Sequence, residues 1–148
     1  MPAEKPGKGI RTTARRYFEQ SAVRERSERV GREENKAIAR RYFEDIWNKR
    51  NLAAIDEVVA ATFVGHAPDA TLQGVEALKQ RVNTGLAQYP DMHFTIEDII
   101  GEGDKVCVRW IYRATAAGKG MVVAGMQLFR IANGKIEESW LSTNELGA

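Results

Sequence analysis

Cysteine is almost missing from this chain, with Cys107 the only one in 148 residues. An internal disulfide and any multi-cysteine zinc site are therefore excluded. Cys107 lies in a strand-like run and reads as a small core residue. Histidine is nearly as scarce. His66 and His93 stand far apart and show no helical HxxxH spacing, so no metal is expected. No apolar run approaches the roughly 18 residues that a membrane span needs. The start is charged and lacks an apolar h-region, so no secretory signal is read. No Gly-rich phosphate loop occurs; Gly118 and Gly120 belong to a turn. What remains is one domain's length of chain, able to bury a core without staples. A cytoplasmic setting is the expectation.

A dominant charge is missing as well, the net value being +2. Residues 1–34 hold nine Lys/Arg against six Asp/Glu, and residues 35–148 hold thirteen against fourteen. The longer part is nearly neutral, which argues against a basic nucleic-acid face. Neither nucleic acid nor membrane is expected as a partner. The mixed signs of the leader read as a solvated helical face. The chain thus divides into a charged leader, 1–34, and a domain, 35–148. Within the leader, residues 1–9 carry Pro2, Pro6, Gly7 and Gly9 and are expected to be disordered.

The periodicities that are present place helices first. Ala14, Tyr17, Phe18 and Ser21 or Ala22 form a short apolar stripe, predicting a helix over 11–32 with a weak break at Gly31. Arg15 and Arg16 read as solvent-facing. Ile38, Tyr42, Phe43, Ile46 and Trp47 give a wider stripe over 33–49. A short helix is expected over 52–60 and a third over 75–88, ended by Pro90. The segment ARRYFE occurs at Ala14–Glu19 and Ala39–Glu44, but two copies do not make a repeat array.

Strands follow. Thr62–His66 reads as a short strand and 67–70 as a turn. Three longer alternating runs are expected over 92–100, 105–114 and 121–131, and a fourth over 135–142. The last two flank Asn133-Gly134, the strongest short hairpin signal, because both turn positions favour φ > 0. Ile136, Glu138 and Trp140 are read on one face of the last strand, and Glu137, Ser139 and Leu141 on the other. Helices followed by an antiparallel meander give an α+β class.

The helix AIARRYFEDIWNKRNLAAIDEVVA, the segment FVGHAP, the helix GVEALKQRV, and the runs YPDMHFTIEDIIGEGDKVCVRW and GMQLFRIANGKIEESW occur in that order. Over about Asn35–Gly147 the chain resembles the SnoaL-like polyketide cyclases of the nuclear-transport-factor-2-like superfamily. The resemblance implies a cone-shaped curved sheet, mixed or antiparallel, wrapped by three helices around an apolar pocket. The leader would add an extra N-terminal helix. It also implies a homodimer packed through the open sheet face. The implied chemistry is a cofactor-free intramolecular aldol closure of a polyketide-like carbonyl compound, with an acidic side chain near the last strand as acid/base.

Candidate site residues can be weighed on that frame. His66, in the segment aligned with the family's pocket mouth, can pass a proton or merely order its loop. Gln127 can hold a substrate oxygen, or face solvent. The family often carries His before the Trp and Asp a few residues after it. Here those places read Ser139 and Asn144. Asn144 can orient or polarise a carbonyl but cannot abstract a proton from carbon. Glu145 is adjacent and could substitute, although neighbours on a strand point to opposite faces. Glu138 reads as a partly buried carboxylate or as an ordinary charge on the sheet face. Trp47, Trp110 and Trp140 read first as core and second as pocket wall, with Tyr112 available to the cavity. Arg109 is followed by Trp110 and Ile111, so the Asp–Arg–Asp pattern of limonene-type epoxide hydrolases is missing. His93 reads as a surface residue. Three functions stay open: an enzyme, a binder that has lost its acid/base, and a scaffold. A carboxylate inside the cavity, from Glu138, Glu145 or Asp98, would separate the first from the second.

Overall fold

The computed structural model of the chain describes Pro2 and residues 8–147, so the start expected to be disordered lies largely outside the described residues. The chain forms two compact units, residues 1–31 and 32–148.

In the first unit the chain is helical from Lys8 onward, within α1, Lys8–Arg41. The expected break at Gly31 does not occur. A lone glycine destabilises a helix by only about 1 kcal/mol, and the flanking Arg, Glu and Lys residues are good helix formers. Ion pairs one turn apart, Arg15–Glu19 at 2.9 Å and Arg24–Glu28 at 3.1 Å, add to its surface. Tyr17 and Phe18 are about two-thirds exposed, at 67% and 70%.

The second unit is an α+β structure with a curved, unclosed sheet, as the resemblance implies. Where the helix was expected to run on to residue 49, it widens into a π-helical segment, Tyr42–Asn48. Lys49 N–H reaches back to Glu44 O at 3.0 Å, one residue further than an α-helix allows. That turn buries Tyr42, Phe43, Ile46 and Trp47 together. Asn48 then ties it to the sheet twice, donating to Phe94 O and accepting from Phe94 N–H, both at 2.8 Å. Helix α2 is Ala54–Val58 and α3 is Val75–Gln88.

Six strands follow or interleave: β1 Val59–His66, β2 Thr71–Gln73, β3 His93–Glu102, β4 Lys105–Ala116, β5 Lys119–Ala132 and β6 Lys135–Gly147. Their order is β2-β1-β6-β5-β4-β3. Only β1 and β6 pair in parallel, which makes the sheet mixed. The β5–β6 turn is made by Asn133 and Gly134 at φ 53° and 74°, as the hairpin signal requires.

Three strand expectations need correction. The short β2 was not foreseen, because three residues carry too little alternation to register. β6 runs on through Asn144 and Glu145 to Gly147 instead of ending near Ser142. A bulge lies where the pairing shifts between Arg130↔Glu138 and Ile131↔Ile136, leaving Glu137 as the extra residue. Ile136 and Ser139 are therefore both buried on the inner side, and Glu138 and Trp140 face away. Cys107 is likewise half-buried on the outer side, opposite the buried Val106 and Val108, and is not core.

The core is aromatic where the π-helical segment meets the sheet. Phe43 and Phe94 lie 5.3 Å apart, and Phe94 and Trp110 4.9 Å apart in an edge-to-face pair.

Candidate functional site

A cavity of about 780 Å³ lies in the second unit, against the inner face of the sheet. That volume falls within the roughly 300–1,000 Å³ typical of small-molecule sites. Tyr42, Phe43 and Trp47 line it from the helical arm, and Phe94, Trp110 and Tyr112 from the sheet. Helix α3 supplies Ala77, Arg81, Thr84 and Gly85, spaced at three or four residues so that they share a face. Gly85 lets Trp47 sit close: a Cβ there would stand 3.1 Å from the indole. Of the aromatic residues expected at the site, Trp47, Trp110 and Tyr112 border the cavity and Trp140 does not.

Polar side chains from three walls interrupt the aromatic lining. Gln127 is 5% exposed and lines the cavity from β5. Burial pushes the Tyr42 hydroxyl above its usual pKa, against hydrogen bonds with Trp47 and Gln127. The inner positions of the extended β6 bring Leu141, Thr143 and Glu145 to the lining. Tyr112 is raised too, by burial first and then by Tyr89 and the charge of Glu145. Glu145 is thus the carboxylate that reaches the cavity from the last strand. Asp69, in the loop after β1, reaches it from the other side and forks onto Arg81. Asp98 does not line it; it accepts from Arg109 Nε at 2.7 Å.

The remaining expected residues gather on the opposite sheet face. His66 Nε2–H donates to Glu138 at 2.7 Å. The His66 ring stacks on Trp140, with centroids 5.5 Å apart and planes 18° apart. Arg130 donates to Glu137 at 2.8 Å and to Glu138 at 3.3 Å. Asn144 is exposed on this same face. His66, Glu138, Trp140 and Asn144 were expected at the pocket. Two backbone facts move them out: the bulge at Glu137, and the parallel register that sets His66 beside Trp140.

The outer cluster carries a pH signature. The hydrogen bond from His66, then Arg130, holds the Glu138 carboxyl below its ordinary range. A depressed folded-state pKa stabilises the fold above the unfolded carboxylate value and is lost as pH falls through the folded value. Glu138→Gln is therefore expected to lower the melting temperature at pH 7 while narrowing the gap to wild type near pH 3. Parallel melting curves at all pH values would show that the cluster does not couple to folding.

Asp69 and Arg81 were not foreseen, nor was Tyr42 as a cavity residue. Alternation along β6 from Ser139 through Leu141 and Thr143 to Glu145 was the available signal for the carboxylate. Among the described residues, no group of three or more His, Cys, Asp or Glu is placed to hold a metal ion. No helix among them is long and apolar enough to cross a membrane.

Comparison with known proteins agrees with this architecture. A candidate SnoaL-like polyketide cyclase from a Jannaschia species superposes with a TM-score of 0.70 at 18% identity, over 76% of this chain and 87% of that one. A candidate polyketide cyclase from Bacillus cereus gives 0.68 at 28% identity, over 75% and 74%. TsrD from Streptomyces laurentii gives 0.68 at 18% identity, over 76% and 90%. None of the curated proteins matches the chain. The model of the SnoaL-like domain matches residues 39–139, a stretch that ends before Thr143 and Glu145. The chain belongs to the SnoaL-like domain family.

Proposed function

We propose that this protein is a cofactor-free cyclase or isomerase acting on an apolar, polyketide-like carbonyl compound bound in the cavity. The observation that carries this reading is the placement of Glu145 in an aromatic lining beside Tyr112. A carboxylate there can take a proton from the carbon next to a carbonyl. The enolate then attacks a second carbonyl in the same molecule, and the protonated Glu145 returns its proton to the new alkoxide. Tyr112, held protonated by its surroundings, can donate to the oxygen on which charge develops. Gln127 can hold a further substrate oxygen.

The first half of that sequence can be tested without the natural substrate. In deuterated buffer the protein is expected to accelerate exchange of the α-protons of β-tetralone, an apolar enolisable ketone, with saturation. Exchange is followed by proton NMR. Saturable binding with no acceleration would favour the alternative reading, a binder of the same fold without acid/base chemistry.

We also propose a homodimer through the open sheet face. Met126 and Trp140 stand exposed on that face at 52% and 36%, beside Leu128. Met126→Glu is expected to shift the mass from light scattering from two copies to one; an unchanged mass would remove the sheet face from assembly.

A further inference from the structure

We infer that the cavity's ligand carries a carboxylate beside its apolar body, that Arg81 seats this carboxylate, and that Asp69 occupies the seat in its absence. The inference rests on the cavity being a ligand site, as proposed above. Among the described residues lining the cavity, Arg81 is the one cation. Its fork is closed by both oxygens of Asp69: Nη2 donates to Oδ1 at 2.9 Å and Nη1 to Oδ2 at 3.1 Å. This two-point geometry is how a guanidinium takes a carboxylate of any origin.

The two partners differ in their surroundings. The Arg81 side chain is 33% exposed, whereas that of Asp69 is 68% exposed. Asp69 belongs to the short loop between β1 and β2 and is the better hydrated of the two. An ion pair with one well-hydrated member contributes little and is readily exchanged. A ligand carboxylate that closes the same fork from within the aromatic cavity is less screened. The exchange conserves charge, because Asp69 returns to water as the ligand's group replaces it. Ala77 and Thr84 flank Arg81 on the helix face that lines the cavity. The guanidinium's field also reaches the buried end of the cavity, where it partly offsets the effect of burial on Tyr42. Arg81 lies on the helical wall and Glu145 on the sheet wall. A substrate anchored by its acid group at the first would turn its remaining carbons toward the second.

The test is calorimetry on wild type, Arg81→Gln and Asp69→Asn with β-naphthoate and its uncharged counterpart β-naphthamide. Wild type is expected to hold naphthoate about ten-fold more tightly, the size of one hydrogen bond to a charged group. Arg81→Gln should erase that preference, its larger loss falling on naphthoate. Asp69→Asn should strengthen naphthoate binding several-fold, since the occupant of the fork is gone. Arg81→Lys, which keeps the charge without the fork, serves in case the Gln variant fails to fold and should retain only part of the preference. Equal affinities for the two probes in wild type, or weaker naphthoate binding in Asp69→Asn, would overturn the inference while leaving the cavity as a ligand site. Binding of neither probe would overturn both.

Discussion

Replacing Glu145 by Gln is expected to slow the β-tetralone exchange by about 10²–10⁴-fold, the usual contribution of a positioned general base. That range corresponds to roughly 3–5.5 kcal/mol of barrier. Glutamine keeps the size and the hydrogen bonding of the side chain but has no ionisable oxygen. The fold should not register the change. Glu145 is exposed on the inner side of β6, and no ion pair depends on it among those described. Surface substitutions of this kind usually stay within about 0.5 kcal/mol. Lost rate with retained melting temperature and retained ketone binding would therefore isolate proton transfer from structure. Tyr112→Phe offers an independent control, since it deletes a donor and leaves the base in place. It should reduce exchange less than the Glu145 change does. Exchange in Glu145→Gln equal to wild type would remove this carboxylate from the chemistry and assign the base to another group.

The sheet was legible because alternation and turn chemistry agree along most of it. Asn133-Gly134 forced a two-residue turn, and that turn fixed which residues of β5 and β6 face each other near the hairpin. The helices were legible in kind but not in their joints. Gly31 carried a break signal that good helix formers on both sides outweighed. The real change of geometry falls at Tyr42–Asn48, where the apolar stripe that marks an α-helix also fits a wider turn. Periodicity alone does not distinguish the two when the buried residues are Tyr42, Phe43, Ile46 and Trp47.

The site was legible on β4 and β5, which keep strict alternation from Val106 to Trp110 and from Val123 to Ile131. Gln127, Trp110 and Tyr112, each offered to the cavity as one of its readings, line it. It failed on β6 for a local reason. One extra residue at Glu137 reverses the parity of everything after it relative to Ile136, and a reading without the bulge groups Ile136 with Glu138 and Trp140. His66 failed for a different reason: its neighbours come from a strand 72 residues away, joined in parallel. Arg81 was invisible because a lone arginine on a helix is most often solvated. Only the fold shows that its helix face looks onto an aromatic chamber.

Trp110→Ala is expected to lower stability by about 3–5 kcal/mol, and Trp140→Ala by no more than about 1 kcal/mol. Before folding is considered the two residues are chemically the same; their environments set them apart. Trp110 is 3% exposed and Trp140 is 36% exposed. The Trp110 ring meets Phe94 at 4.9 Å, Tyr112 at 5.8 Å and Phe43 at 6.1 Å. Aromatic pairs of this kind contribute about 0.5–1.5 kcal/mol each beyond their buried area. Across the strand the indole lies flat on Gly125, where an added Cβ would stand 2.2 Å from it. Glycine at 125 is therefore a packing requirement, and Trp110→Ala leaves a void directly opposite it. One term acts the other way. Trp110 Nε1 is the buried side-chain polar atom without a partner among those described, so truncation strands no acceptor and removes an unpaired donor. That places the loss toward the lower part of the range without changing its sign. Trp140, by contrast, stacks on His66 beside water. For a domain of this size each kcal/mol moves the melting temperature by about 2–4 °C. Calorimetric melts should therefore separate the two variants by roughly 5 °C or more. A larger loss from Trp140→Ala than from Trp110→Ala would mean that the inner and outer faces of the sheet have been exchanged, and with them every residue assigned to the cavity.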